Sequence, residues 1–248
     1  FPYTTLFRIY QADGSPNKNG AHSIELYADD KLIFKIVSDK YSYGETRYIN
    51  SMIDYSHYIR NNERFIRTEI DKFNKLNNLY KTTNGVVNVN EYDTIKMKYV
   101  VKDYNNNKSV LNFTLVGSGS VDLEEKPILP RSFYRIYDGE AGNINLDGFE
   151  VDIPQTAFYD DVAIKAERID TITDTYSFFA YRLGTEEIPL HKKINIRLKR
   201  KSEYMNDSSL YIATVNTKGE YIFLGNEYAD DFIEAKTNTL GTYLIAKD

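Results

Sequence analysis

NGAHSIELYADDKLIFKIVSDKYSYGETRYINSMIDY, residues 19–55, reads as a β-hairpin that runs into a long polar and aromatic loop. The first strand begins near His22, and Ile24 and Leu26 share one of its faces. Asp29-Asp30 turns the chain into Leu32-Ile33-Phe34-Lys35-Ile36-Val37, which predicts a hairpin with a two-residue loop. Asp-Asp is a weaker turn signal than Asn-Gly, so the sequence leaves the turn type open.

Outward from the hairpin, periodicity weakens between Asp39 and about Lys81. A helical turn fits residues 51–59, and short strands fit 65–70 or 75–80. A loop of this length is often either functional or an arm packed on the domain. Alternation returns at Ile95, Met97, Tyr99 and Val101. Residues 103–107 then lead into Leu111, Phe113 and Leu115, closing a second hairpin. Gly117-Ser118-Gly119-Ser120, followed by acidic residues, Pro127 and Pro130, has the small and stiff residues of a linker. Beyond it, strands are expected over 133–137, 149–153, 162–167, 176–181, 194–199, 210–215, 221–224, 232–236 and 242–246.

Short strands at this spacing predict an all-β chain of two consecutive immunoglobulin-like β-sandwich domains. The first covers 9–117 with its long Tyr- and Arg-rich loop, 118–131 is the linker, and 132–248 is the second sandwich. The opening Phe-Pro-Tyr-Thr-Thr-Leu-Phe-Arg resembles a translated sequencing adapter. Residues 1–8 are therefore set aside as a fusion artefact, with a native edge strand as the alternative.

Composition fits this class. The chain has 22 Tyr and 13 Phe but no Trp or Cys, and aromatic enrichment favours strands. The missing cysteines exclude disulfides, thiolate metal sites and a Cys nucleophile. A net charge of −5 argues against general nucleic-acid binding, which needs a clustered basic face. The dense basic run Arg197-Leu198-Lys199-Arg200-Lys201 alternates with Ile194 and Ile196 and reads as the solvated face of a strand. No apolar run approaches the ~20 residues of a transmembrane segment.

The usual catalytic patterns fail on spacing. His22, His57 and His191 lie far apart, and no His-x-His pair occurs. Zinc needs three or four converging ligands, so no metal ligands and no catalytic residues are assigned. Asp103-Tyr104-Asn105-Asn106-Asn107 opens like a calcium loop, but Lys108 stands where the loop needs Gly and Thr114 where it needs Glu. A hairpin loop explains it better. The pairs Asp29-Asp30, Asp160-Asp161 and Asp230-Asp231 read as turn residues, because a glycosidase needs two opposed carboxylates at a set separation.

One constellation remains. Tyr41, Tyr43, Tyr48, Tyr55 and Tyr58 crowd the irregular loop with Arg47, Arg60 and Arg64. Tyr with Arg is typical of interaction hot spots and of sugar stacking. Tyr41, Tyr43, Arg47, Tyr48, Tyr55, Tyr58 and Arg60 form the candidate binding set; the alternative is a loop packed over a sheet with its rings buried.

Two ordered blocks carry a family likeness over residues 14–248. The first joins the hairpin to Asp39, Gly44-Glu45-Thr46-Arg47-Tyr48-Ile49-Asn50, Ile53-Asp54-Tyr55, Asn77-Asn78-Leu79-Tyr80-Lys81 and Lys98-Tyr99-Val100-Val101-Lys102-Asp103. The second comprises FEVDIPQTAFYDDVAI from Phe149, PLHKKINIRLK from Pro189, and SLYIATVNTKGEYIFLGNEYADDFIEAKTNTLGTYLIAKD from Ser209. In this order they resemble the region that follows the catalytic domain in lysostaphin-type zinc metallopeptidases (peptidase family M twenty-three). The family's zinc residues, a His with an Asp four positions later plus a His-x-His pair, are not matched: Leu26, Asn61 and Asn195 stand four after the histidines.

The resemblance implies a non-catalytic accessory or scaffold region of a peptidoglycan-targeting endopeptidase in the bacterial cell envelope. Zinc is expected only in an upstream catalytic domain, which would be this region's partner, with peptidoglycan or an envelope protein as a further one. The alternatives are a stand-alone cell-surface module for glycan or protein and an unrecognised sandwich enzyme.

Overall fold

A computed structural model describes residues 20–40, 42–80, 84–119, 130, 132–170, 175–216 and 219–248. The chain is all-β, built on three antiparallel sheets, and divides into two compact units, residues 1–126 and 127–248.

In the first unit β1 (Ser23–Ala28) and β2 (Lys31–Val37) form the expected hairpin, with Ala28 opposite Lys31. Both loop residues take positive φ, 45° at Asp29 and 64° at Asp30, which is the type I′ geometry that matches strand twist. Asp suffices because it tolerates the left-handed region and because the Asp29 carboxylate accepts the Lys96 amide at 2.9 Å. Adding β3 (Leu79–Tyr80), β4 (Thr94–Lys102) and β5 (Lys108–Val116) gives one five-stranded sheet in the order β3-β2-β1-β4-β5.

One face of that sheet carries Ile24, Leu26, Phe34, Met97 and Tyr99 into a core. The opposing layer is the weakly periodic segment: Met52, Ile70 and Leu76 complete the cluster, with Tyr48, Ile49, Ile66 and Val87 against its rim. The long segment is thus the second layer of the first unit. It contains a 3-10 helix (Tyr43–Met52) and α1 (Tyr55–Asn61), and an isolated bridge joins Ile53 to Ile66 where strands over 65–70 were expected.

The second unit is a two-sheet sandwich. Its strands are β6 (Phe133–Ile136), β7 (Gly142–Leu146), β8 (Phe149–Ile153), β9 (Val162–Ile169), β10 (Ala180–Leu183) and β11 (Ile194–Lys199). They continue with β12 (Leu210–Val215), β13 (Tyr221–Gly225), β14 (Glu227–Ala229), β15 (Phe232–Thr237) and β16 (Gly241–Lys247). One sheet runs β13-β12-β16-β10-β9-β6, the other β14-β15-β11-β8-β7. The chain changes sheets between β13 and β14. A Cβ at Gly225 would lie 3.1 Å from that of Ala235, a tight contact at the corner.

Alternation delivers Val151, Ile153, Ile194, Ile196, Leu198, Ile212 and Ile245 to a common core. Phe149 stacks between Tyr181 at 5.0 Å and Tyr243 at 6.1 Å. Their hydroxyls donate to the Asp147 and Thr239 carbonyls, satisfying the polar ends of two buried rings. Burial pushes the Tyr181 phenol up to about 12 and raises that of Tyr243 as well.

Two strand expectations are corrected. The strand expected over 176–181 begins only at Ala180, because Ser177 is buried and its hydroxyl donates to the Phe179 carbonyl at 2.7 Å, bending the aromatic run. Arg200 does not belong to a solvated face. It is 6% exposed, one step along the row Ile194, Ile196, Leu198, and its guanidinium donates to the Met205 and Asp230 carbonyls. Arg197 and Lys199 are paired on the surface, Arg197 with Glu150 at 2.6 Å and Lys199 with Asp231 at 3.6 Å, while Lys201 donates to the Thr175 carbonyl at 2.8 Å.

Candidate functional site

The Tyr- and Arg-rich segment leaves β2 at Val37 and returns to the sheet at β3. Backbone pairing closes its base: Val37 N donates to Asn78 O, and Asn78 Nδ2 to Val37 O. The Glu45 carboxylate in the first turn of the 3-10 helix accepts from the Ser42 amide at 2.9 Å and from Asn77 Nδ2 at 2.8 Å. The Ser42 amide bond leads in holding the Glu45 carboxyl below its usual range. Asp39, Lys40, Glu45, Asn77 and Asn78 line a shallow crevice of about 320 Å³ with Val37. Glu45, Asn77 and Asn78 make the clamp.

Deeper in the segment, Asn74 is 2% exposed and ties the two limbs together. Its Nδ2 donates to the Tyr48 carbonyl at 3.1 Å and to Ser51 Oγ at 3.0 Å, and its Oδ1 accepts the Leu76 amide at 2.9 Å. Arg67 N to Met52 O and Asp54 N to Phe65 O continue the closure outward. The limb beyond is α1, a loop tip. Asp54 caps it by accepting the His57 amide at 3.0 Å, and Asn62 ends it in the left-handed region at φ 53°.

The candidate binding residues therefore divide. Tyr48 is half-buried against the core and acts as an anchor. Tyr43, 96% exposed, and Arg47 project from the 3-10 helix. Tyr55 and Tyr58 lie half-buried on α1, their rings 6.3 Å apart, with the Arg64 guanidinium 5.2 Å from the Tyr58 ring. Arg60 donates to Ser56 Oγ at 2.7 Å. Tyr41 lies outside the described residues. The segment thus joins both sequence readings: a packed base and a tip presenting Tyr and Arg.

The histidines have local partners. His22 packs against Tyr104 with the rings tilted and their centroids 4.6 Å apart. His57 meets Glu63 at 3.2 Å and packs edge-on to Phe65. His191 donates through Nδ1 to the Thr156 carbonyl. Among the described residues, no three His, Asp or Glu side chains gather as metal ligands. The Asp103 carboxylate is occupied by the amides of Asn105 and Asn107 and by Asn107 Nδ2, which makes 103–107 a self-bonded turn.

Asp160, Asp161 and Asp138 line an open hollow of about 510 Å³, where Asp161 accepts the Asp138 amide. Asp230 sits in a turn at φ 49°. Sequence reasoning missed the clamp formed by Glu45, Asn74, Asn77 and Asn78. Its signal was present as side-chain amides inside an otherwise aromatic loop.

By fold, the second unit is an antiparallel two-sheet sandwich. Residues 136–248, which run from the end of β6 through β16, match the family described as the Zu5-like domain. No curated protein matches the chain. No helix among the described residues is long and apolar enough to cross a membrane.

Proposed function

We propose that these two β units are a non-catalytic accessory region of a peptidoglycan-targeting zinc metalloendopeptidase of the bacterial envelope, with catalysis and zinc belonging to a domain upstream. The observation that carries the reading is the position of the family-like residues in the first unit. Asp39, Glu45, Asn77 and Asn78, distant in sequence, meet in one crevice at the foot of the arm. Residues spent on holding an arm against a sheet suit a scaffold that presents something at its tip.

The 3-10 helix offers Tyr43 and Arg47, and the limb beyond it Tyr55, Tyr58, Arg60 and Arg64, side chains suited to stacking on sugar rings and pairing with carboxylates. The same exposure of Tyr43 and Arg47 supports a second reading, a stand-alone cell-surface glycan- or protein-binding module.

Incubation of the purified chain with peptidoglycan sacculi tests the proposal. The chain should sediment with the sacculi, release no cross-link peptides and carry no stoichiometric zinc. Tyr43→Ala with Arg47→Ala should reduce the bound fraction several-fold. Peptide release by the chain itself would overturn the non-catalytic assignment. Binding to a protein or a soluble glycan in place of sacculi would favour the second reading.

A further inference from the structure

We propose that β5 is the seam of a two-fold homodimer, in which two copies of the first unit join their five-stranded sheets edge to edge. The edge strands of the three sheets are unequal. β3 has two residues, β14 three, β6 four, and β7 and β13 five each, whereas β5 has nine. Proteins usually blunt an edge by shortness, proline or charge. Lys108-Ser-Val-Leu-Asn-Phe-Thr-Leu-Val116 has no proline and a single charge at one end. Val110 and Leu111 are each 46% exposed and Val116 is 66% exposed.

Among the described residues no strand pairs with the outer side of β5, and the hydrogen-bond phase of that edge follows from its pairing with β4. β4 and β5 pair without a register shift from Thr94 opposite Val116 to Lys102 opposite Lys108. Just beyond the two ends, Gly117 N donates to Asp93 O and Asp103 N donates to Asn107 O. Hydrogen-bonded pairs alternate in an antiparallel ladder. The odd-numbered residues of β5 therefore face β4. Lys108, Val110, Asn112, Thr114 and Val116 turn their amides and carbonyls to the edge.

That set is symmetric about Asn112, the midpoint of the strand. A second copy laid antiparallel puts Asn112 opposite Asn112, Val110 opposite Thr114 and Lys108 opposite Val116. These five pairs exchange about ten backbone bonds. On the core face, where Leu111 and Phe113 lie in register with Tyr99 and Met97, Leu111 meets the other copy's Phe113. No like charges oppose, and like charges directly opposite are the usual deterrent to such pairing. The chemistry of the edge thus selects a second β5. A contact along one strand of about 30 Å buries less than a standard interface, so the dimer dissociates in the micromolar range or weaker.

Sedimentation velocity of the intact chain from micromolar to millimolar concentration tests this, with Asn112→Asp and Asn112→Lys as variants. The Asn112 side chain is exposed and lies opposite Lys98 of β4, so both variants should fold, with Asn112→Lys melting slightly below the parent. The parent should dimerise. Each variant alone should associate at least about tenfold more weakly, since it sets like charges against each other at the symmetry axis. An equimolar mixture of the two should recover the dimer. A parent that stays monomeric at millimolar concentration, a dimer indifferent to both substitutions, or a mixture without recovery would each overturn the proposal. Exchange protection of the Val110, Asn112 and Thr114 amides in a monomer would give the edge to another strand and overturn it too.

Discussion

Replacing Asn74 with alanine should loosen the arm of the first unit and leave the second unit intact. The Asn74 side chain donates to the Tyr48 carbonyl and Ser51 Oγ and accepts from the Leu76 amide. A buried hydrogen bond contributes roughly 1 kcal/mol net, and a partner left without a bond costs more than the bond was worth. Ser51 and Leu76 are both buried, so water cannot readily replace the lost amide. The expected loss is about 3 kcal/mol. For a unit of this size, with a urea slope of about 2 kcal/mol per M, the midpoint should fall by about 1.5 M.

Asn74→Asp keeps the acceptor for Leu76 but loses both donors and aims a charge at a carbonyl, so it should be no better. Urea unfolding followed by tyrosine fluorescence, in a chain with 22 Tyr and no Trp, measures the midpoint. Hydrogen exchange locates the effect: amides of residues 43–52 should lose protection while those of β8, β11 and β12 keep theirs. A change below about 0.5 kcal/mol, or a uniform loss across both units, would refute the claim that this residue clamps the arm.

Other sites give independent tests. Glu25 is 6% exposed on the sheet face opposite Ile24 and Leu26, where it meets Lys35 at 2.9 Å, Lys102 at 3.7 Å and the Tyr27 hydroxyl. Burial alone would raise its carboxyl, but hydrogen bonds from Lys35 and Tyr27 and the two lysine charges outweigh it and leave the value lowered. Its stabilising effect is therefore complete above the unfolded carboxylate range, near pH ~4.3, and disappears as pH falls through the lower folded value. Glu25→Ala should cost about 2 kcal/mol at neutral pH and flatten that acid-side decline in a series of urea midpoints.

Arg200→Ala should destabilise the second unit by about 3 kcal/mol in calorimetry, and Arg200→Lys should not restore it, because one ammonium cannot fork to two carbonyls. Gly85→Ala should prevent the first unit from forming a stable arm. The residue sits at φ 73°, and its Cβ would lie 1.6 Å from the Thr68 carbonyl oxygen, so soluble yield and tyrosine dichroism should both drop.

Strands that alternate cleanly were legible from sequence. Residues 149–153, 194–199 and 210–215 fall on β8, β11 and β12 without adjustment. The β1–β2 hairpin was legible because Ile24 and Leu26 mark a buried face and Asp29-Asp30 reads as a turn, though not as a turn type. β7 was missed because Gly-Asn-Ile-Asn-Leu reads as turn chemistry; Ile144 enters the core, Leu146 packs against it, and pairing with β8 does the rest. β14 was missed because it has three residues, and its strand geometry comes from pairing with β15.

Arg200 shows a signal that was present and misread. The parity that buries Ile194, Ile196 and Leu198 extends to Arg200, whose charge masks that period in the sequence. The arm was opaque for a deeper reason. Asn74, Asn78 and Glu45 hold it by tertiary hydrogen bonds, which leave no periodicity to read.

The accessory assignment stands or falls most directly on the reading frame that encodes this chain. Sequencing the coding region upstream of residue 1 should reveal, in the same frame, a domain with a His and an Asp four positions later together with a His-x-His pair. An upstream frame encoding a domain of another type would contradict the account.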